Sequence, residues 1–385
     1  MFERTLETVS ERRRALEGEL QEVDELFERL LGQGSSRALE TIRADESCRS
    51  WGLVIRLMEK CRDLSAFDAR RAVEVAALAV EASRLLDTAL YGKARVLDLQ
   101  ARAYCALANV QRILSSFREA ERSFQTAKEL LAEGSGDALQ RANILLLEAE
   151  VYGQRDRFDR AFGLLDQVIR IARRFEDAHL QGKALINKGL FLSYAERVDE
   201  ALRLFHAGIE LIDPAIEPRP LLVAWHNIFF SLSYLGRNEE ALEKLPYIRS
   251  LHEKFGTRLD RLRLYWVEGR IAVDLGEVER AEQCLVRVRD AFIEAGIGYD
   301  AALVSLDLAN VYLRQGRSEA VAQLAQEILP IFKSRDVHRE AIAALIVFQR
   351  AVERNTVNVQ LIAEIERYLR QARNNPSLRF EPSSS

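Results

Sequence analysis

An all-α, right-handed solenoid of antiparallel helical hairpins is predicted by three features of the sequence. These are a fixed spacing of turn segments, a recurring order of small and bulky residues within each interval, and the lack of any β-type alternation. The stretch LGRNEEALEKL, Leu235–Leu245, has counterparts in RDRFDRAFGLL before it and in LGEVERAEQCL and RQGRSEAVAQLA after it. The small residue after each turn serves as a ruler: Ala120, Ala161, Ala201, Ala241, Ala281 and Val321, with steps of 41, 40, 40, 40 and 40 residues. Self-similarity at a step of about 20–50 residues marks stacked repeats. At 385 residues the chain exceeds a usual single core of roughly 100–200 residues, and an elongated array accounts for the excess.

Each interval carries the same internal order. Twelve residues before the ruler stand Ala108, Ala149, Gly189, Phe229, Gly269 and Ala309, mostly small. Four residues after it stand Phe124, Leu165, Phe205, Leu245, Leu285 and Ala325, mostly large, and sixteen before it Tyr104, Leu145, Leu185, Trp225, Tyr265 and Ser305. Small residues let two helices approach closely, and bulky ones fill the space between neighbouring pairs. In the fourth interval Gly236 closes the first helix as a left-handed cap, and the acids of RNEE start the second against the helix dipole.

This order resembles the tetratricopeptide repeat, most closely in Tyr104, Leu107, Ala108, Ala120, Phe124 and Ala127 of the first interval. The resemblance covers roughly residues 91–335. A period of 40 rather than 34 resembles the longer-helix variant of bacterial regulatory and sensor proteins. It implies a non-catalytic protein that binds partners on the concave face lined by the first helices.

The expected organisation is an amphipathic helix at 1–32, an irregular helical hairpin or cap at 37–90, six repeats at 91–335, a degenerate seventh at 336–373 and a flexible tail at 374–385. Leu6, Val9, Arg13, Leu16, Leu20, Val23, Phe27 and Leu30 space the first helix like a coiled-coil seam, suiting either a cap on the array or self-association. Pro246, inside a second helix, is expected to kink it.

Composition narrows the function classes. The net charge is -4, and nine acids against five arginines fall in the first 31 residues, so no basic stripe is left to replace phosphate counterions; no direct nucleic-acid partner is expected. No apolar run is long enough to cross a bilayer, and the charged N-terminus is no signal peptide, so a cytoplasmic protein without a membrane partner is expected. Cys48, Cys61, Cys105 and Cys284 have no metal-ligand spacing and read as reduced residues. His179, His206, His226, His252 and His338 lie in different intervals and read as packed or surface histidines. GIGYDA, Gly296–Ala301, fits a loose dinucleotide pattern, but a helix precedes it where that mechanism needs a strand. Neither cofactor, metal nor enzymatic activity is expected.

The candidate partner-binding residues lie on the first helices of the middle intervals: Lys183, Asn187, Tyr194, Asn227, Tyr234, Arg263, Trp266 and Arg270. Asn187 and Asn227 are equivalent positions, as are Tyr194 and Tyr234. Stacked amides suit an extended peptide backbone, and arginine suits a carboxylate or phosphate. The same residues could equally satisfy one another. Asn143, Gln154, Asp307, Asn310 and Arg314 extend the set. The function expected is a scaffold or adaptor for a protein or peptide partner. The alternative is a regulator that binds a small molecule or short peptide and controls a kinase, protease or transcription factor.

Overall fold

Left-handed residues close the turns between first and second helices at one ruler position. Five residues before the ruler, φ is 58° at Ser115, 56° at Asp156, 60° at Glu196, 71° at Gly236, 74° at Gly276 and 70° at Gly316. After Ser115, Glu196, Gly236, Gly276 and Gly316 the next backbone N–H bonds a carbonyl five residues back, at 2.8 Å for Ser116 to Gln111 and 2.9 Å for the others. This closure satisfies carbonyls that a helix end otherwise leaves bare. The expected left-handed role of Gly236 is thus shared by six joints, three of them without glycine.

The computed structural model describes residues 23–65, 67–333, 339–372 and 378–380, among which there is no strand. They form two units, residues up to Tyr152 with Arg160–Glu176, and Gly153–Asp159 with Asp177 onward. The first contains α1 (Asp24–Leu31), α2 (Ser35–Ala44), a 3-10 turn (Glu46–Cys48), α3 (Trp51–Leu64), α4 (Ala69–Arg84), the short α5 (Thr88–Tyr91), α6 (Lys93–Ile113) and α7 (Phe117–Glu133). Most of α8 (Ala138–Gly153) and α9 (Phe158–Arg174) also belongs to it. Here α3 packs on α4, α4 on α6 and α6 on α7. Of the helix expected at 1–32, only the part from Val23 is described; the rest of that seam lies outside the described residues, as does His338.

The second unit continues with α10 (Ala178–Tyr194), α11 (Val198–Ile209), α12 (Arg219–Tyr234), α13 (Asn238–Phe255), α14 (Arg258–Asp274), α15 (Val278–Glu294), α16 (Gly298–Arg314) and α17 (Ser318–Lys333), then α18 (Arg339–Glu353) and α19 (Val359–Ala372). Consecutive helices pack as antiparallel hairpins, and first helices also touch one another: α10 with α12, α12 with α14, α14 with α16. Helix α13 runs on through Pro246, flanked by buried Leu245 and Ile248. Packing on both sides of the proline sustains a helix that propensity alone would interrupt.

The ruler residues Ala120, Ala161, Ala201, Ala241, Ala281 and Val321 are all buried. Their small partners are required by what faces them: a Cβ added to Gly189 would lie 2.9 Å from the Phe205 ring, and one on Gly269 3.1 Å from Leu285. Two joints add the same ion pair to a buried carboxylate, eight residues after the ruler to thirteen before the next: Lys128 with Glu148 at 2.9 Å and Arg249 with Glu268 at 2.5 Å. At the equivalent joint between α11 and α12 the chain places Ile209 and Ile228 instead.

Two outcomes follow from these joints. Ser115→Gly relieves a left-handed strain and raises the urea midpoint by the equivalent of about 0.5 kcal/mol, whereas Gly276→Ala lowers it by about 1 kcal/mol; equal effects of both would refute the turn argument. Arg249→Met strands a carboxylate that is only 5% exposed, and because the arginine itself is half-exposed the loss is roughly 2 kcal/mol rather than the full cost of a wholly buried pair. The double variant Arg249→Ile, Glu268→Ile recovers most of that loss in the same titration; a double variant less stable than the single would disprove it.

Candidate functional site

The first helices of the second unit, α10, α12, α14 and α16, carry the candidate residues, and short-range electrostatics decides which remain available. A cation from one hairpin meets an acid at or just before the start of the next first helix. Lys183 Nζ lies 2.6 Å from Glu217, Arg219 makes two bonds to Asp260 at 2.5 and 3.0 Å, and Arg263 reaches Asp300 at 2.9 and 3.3 Å. Asp260 also accepts from the backbone N–H and hydroxyl of Thr257, completing a capping box at the start of α14. Burial alone would raise the Asp260 pKa, but Arg219 and Thr257 hold the carboxyl well below the usual range.

The predicted polar set therefore divides. Lys183 and Arg263 hold neighbouring hairpins together through these acids. Asn227 donates its amide to Val223 of its own helix at 2.8 Å. Trp266 is buried, its indole N–H donating to Asp307 at 2.6 Å. Arg270 lies with Nε 3.9 Å from Asp307 and its guanidinium 5.8 Å from the Phe230 ring centre. Asn187 is half-buried, as is Gln154. Tyr194 and Tyr234 alone among the eight are largely open, at 45% and 52% exposure, with the Tyr194 ring against Phe191. Asn143, in the first unit, bonds its own helix, and Arg314 donates to Asn310 at 3.2 Å.

Two features were not foreseen from the sequence. His226 and His252 face each other with ring centres 5.5 Å apart, and Nδ1 of the former and both nitrogens of the latter are buried without hydrogen-bond partners. Burial, then the neighbouring His252, pushes the His226 pKa down to about 3; burial also lowers that of His252. Their equivalent positions in other intervals are not histidine, so the period gave no signal. The second feature is a charge cluster at α19. Burial first and the Asp307 carboxylate second push the Glu366 pKa up to about 8. Arg270 and Arg370 oppose that shift, and Arg370 lies 5.5 Å from Phe230 and 5.6 Å from Trp266. Here the signal was present but unread: Glu366 and Arg370 stand four apart on an amphipathic helix.

No protein-family model matches the chain, and no curated protein matches it by sequence. Solved structures resemble it in fold. Aspartyl phosphate phosphatase F from Bacillus subtilis superposes with a TM-score of 0.56 at 14% identity, covering 81% of this chain and 79% of that one. The tetratricopeptide-repeat sensor-bearing signal-transduction ATPase of the STAND class from Pyrococcus horikoshii gives 0.56 at 14% identity, over 85% of this chain and 53% of that one. The apo form of RapI gives 0.53 at 13% identity, over 72% and 97%. The fold is therefore all-α and tetratricopeptide-like. No helix among the described residues is long and apolar enough to cross a membrane.

The histidine pair sets a pH dependence. An unfolded His226 takes a proton near pH 6.5 while the folded one resists to about 3, so the stability it permits is complete above 6.5 and is lost as pH falls toward 3. His226→Phe should flatten the decline of the thermal midpoint between pH 7 and 5 relative to wild type, followed by circular dichroism; parallel curves for the two proteins would show the ring does not carry the effect.

Proposed function

We infer that the chain is a non-catalytic tetratricopeptide-type scaffold or adaptor that holds a protein or peptide through the first-helix layer of its second unit. One observation carries this reading: Tyr194 and Tyr234, one repeat apart at the ends of α10 and α12, remain largely exposed while most charged neighbours are committed to ion pairs. Tyrosine offers a large contact area with a polar tip at little conformational cost and is enriched where binding energy concentrates. Asn187 flanks that pair in the same layer and is proposed as part of its polar rim, whereas Lys183 and Arg270 are engaged by Glu217 and by the Asp307 cluster.

A second reading, a regulator that binds a short peptide or small molecule and controls a kinase, protease or transcription factor, is favoured by a separate observation. Helix α19 lies on part of the same layer, packed against α16. A covered layer suits a protein whose binding is controlled.

The test is quantitative capture from host lysate with wild type and with Tyr194→Ala, Tyr234→Ala. A specific interactor should fall about ten-fold in the variant while its thermal midpoint stays unchanged, since both rings are exposed. Equal recovery of every interactor by the two proteins would refute the proposed surface.

A further inference from the structure

The final hairpin breaks the packing rule of the others. In α10 to α17, a first helix is contacted from the next hairpin by that hairpin's first helix. After α17 the chain places α18 on α17, and then α19, a second helix packed on α18, also returns onto α16. Helix α19 thus takes a place in the first-helix layer, and its side chains reach back along it. Arg370 stands over Phe230 of α12 and Trp266 of α14, and Arg367 lies 3.6 Å from Glu196 after α10.

A helix that merely shields a terminal repeat needs only its immediate neighbour. This one presents a complete ligand surface. Ile362, Ile365, Tyr368, Leu369 and Ala372 are buried along one stripe, with Glu366 and Arg370 entering the cluster of Arg270 and Asp307 beside it. Two of the described residues 378–380 also contact this helix. Tyr368 donates its hydroxyl to the Leu378 carbonyl at 3.0 Å, and its ring lies 5.0 Å from that of Phe380.

The polar part of this contact is poorly matched. Nη1 of Arg270 and Nη2 of Arg370 are buried without hydrogen-bond partners. Two carboxyl groups, Asp307 and Glu366, crowd the same guanidinium pair. Buried donors left unpaired cost free energy that an alternative ligand can recover. The Arg367 to Glu196 pair is 60% and 54% exposed and contributes little, so the apolar stripe holds the helix.

We propose that α19 is a displaceable internal ligand: the layer formed by Phe230, Trp266, Arg270 and Asp307 with the face of α16 is a receptor for an amphipathic helix, and an external helical partner competes with α19 for it. The partner has an apolar stripe of isoleucine, leucine or aromatic residues at 3/4 spacing, and a carboxylate placed to pair with Arg270. This deepens the protein-or-peptide reading given above and rests on it.

The test uses the full-length chain. Leu369→Asp and, in a separate variant, Ile365→Asp each place a charge in the buried stripe. By hydrogen exchange, amides of α19 should exchange at least ten-fold faster in either variant while those of α14 and α16 keep wild-type protection. A labelled synthetic peptide of residues 357–380 should then bind the variant at least ten-fold more tightly than wild type, where the tethered helix blocks it. The proposal is overturned if α14 and α16 lose protection together with α19, which would make it an integral part of the core. It is also overturned if α19 stays protected in both variants, or if the peptide fails to bind a variant whose α19 has opened. Since these measurements involve only the chain's own helix, they can fail while the tyrosine-dependent interactor is still captured, and the reverse.

Discussion

At the ruler positions each second helix presents an alanine, or in the last case a valine, with essentially no exposed surface. The distance between two crossing helices is set by the side chains between them, so a small residue here fixes how closely the hairpin closes. Everything larger is then placed by difference. Phe205 occupies the space that Gly189 leaves, and Ala108, Ala120 and Phe124 share one core cluster in the first unit. The left-handed residue five positions earlier fixes the turn's direction. Helix length and turn geometry together impose the 40-residue step, which is why non-glycine residues tolerate a positive φ at Ser115, Asp156 and Glu196.

Onto this apolar frame the chain adds charge in two ways that differ in consequence. Pairs such as Arg197 with Glu200 and Arg237 with Glu240 lie exposed within a single helix start, where ion pairs contribute little. Pairs such as Arg263 with Asp300 and Arg249 with Glu268 bury the acid almost fully and link successive hairpins. Burial makes the loss of one partner expensive even where the intact pair adds little net stability. The buried acids thereby fix which cation each first helix meets, and so determine which polar residues are left for a partner.

The hairpins were legible because their determinants are local: a period, a small residue, a turn. The candidate site was legible only where exposure follows from helix position, as at Tyr194 and Tyr234. Trp266 reads in sequence as a binding aromatic, but its indole N–H is spent on Asp307, one repeat and one residue away. Asn227 reads as a rung of an amide ladder, but it bonds the carbonyl four residues back in its own helix. The buried histidine pair was illegible for a related reason. Its two rings come from α12 and α13 at positions the other intervals fill differently, and only packing brings them together.

The return of α19 onto α16 illustrates a limit of periodicity itself. Hydrophobic spacing identifies the apolar face of a helix but not which neighbour will cover it. Ile362, Ile365 and Leu369 could cover α18 alone, as the regular order would have it, or α18 together with the face of α16, as observed. The cluster beside the stripe separates the alternatives, because Glu366 and Arg370 enter the field of Asp307 and Arg270 only in the second arrangement. The observed placement leaves one guanidinium nitrogen of Arg270 and one of Arg370 without hydrogen-bond partners, while the buried apolar stripe and the stacking of Arg370 near Phe230 and Trp266 favour it. A helix held mainly by apolar contact, with part of its buried polar surface left unpaired, is the arrangement expected of a surface that must be able to release what covers it.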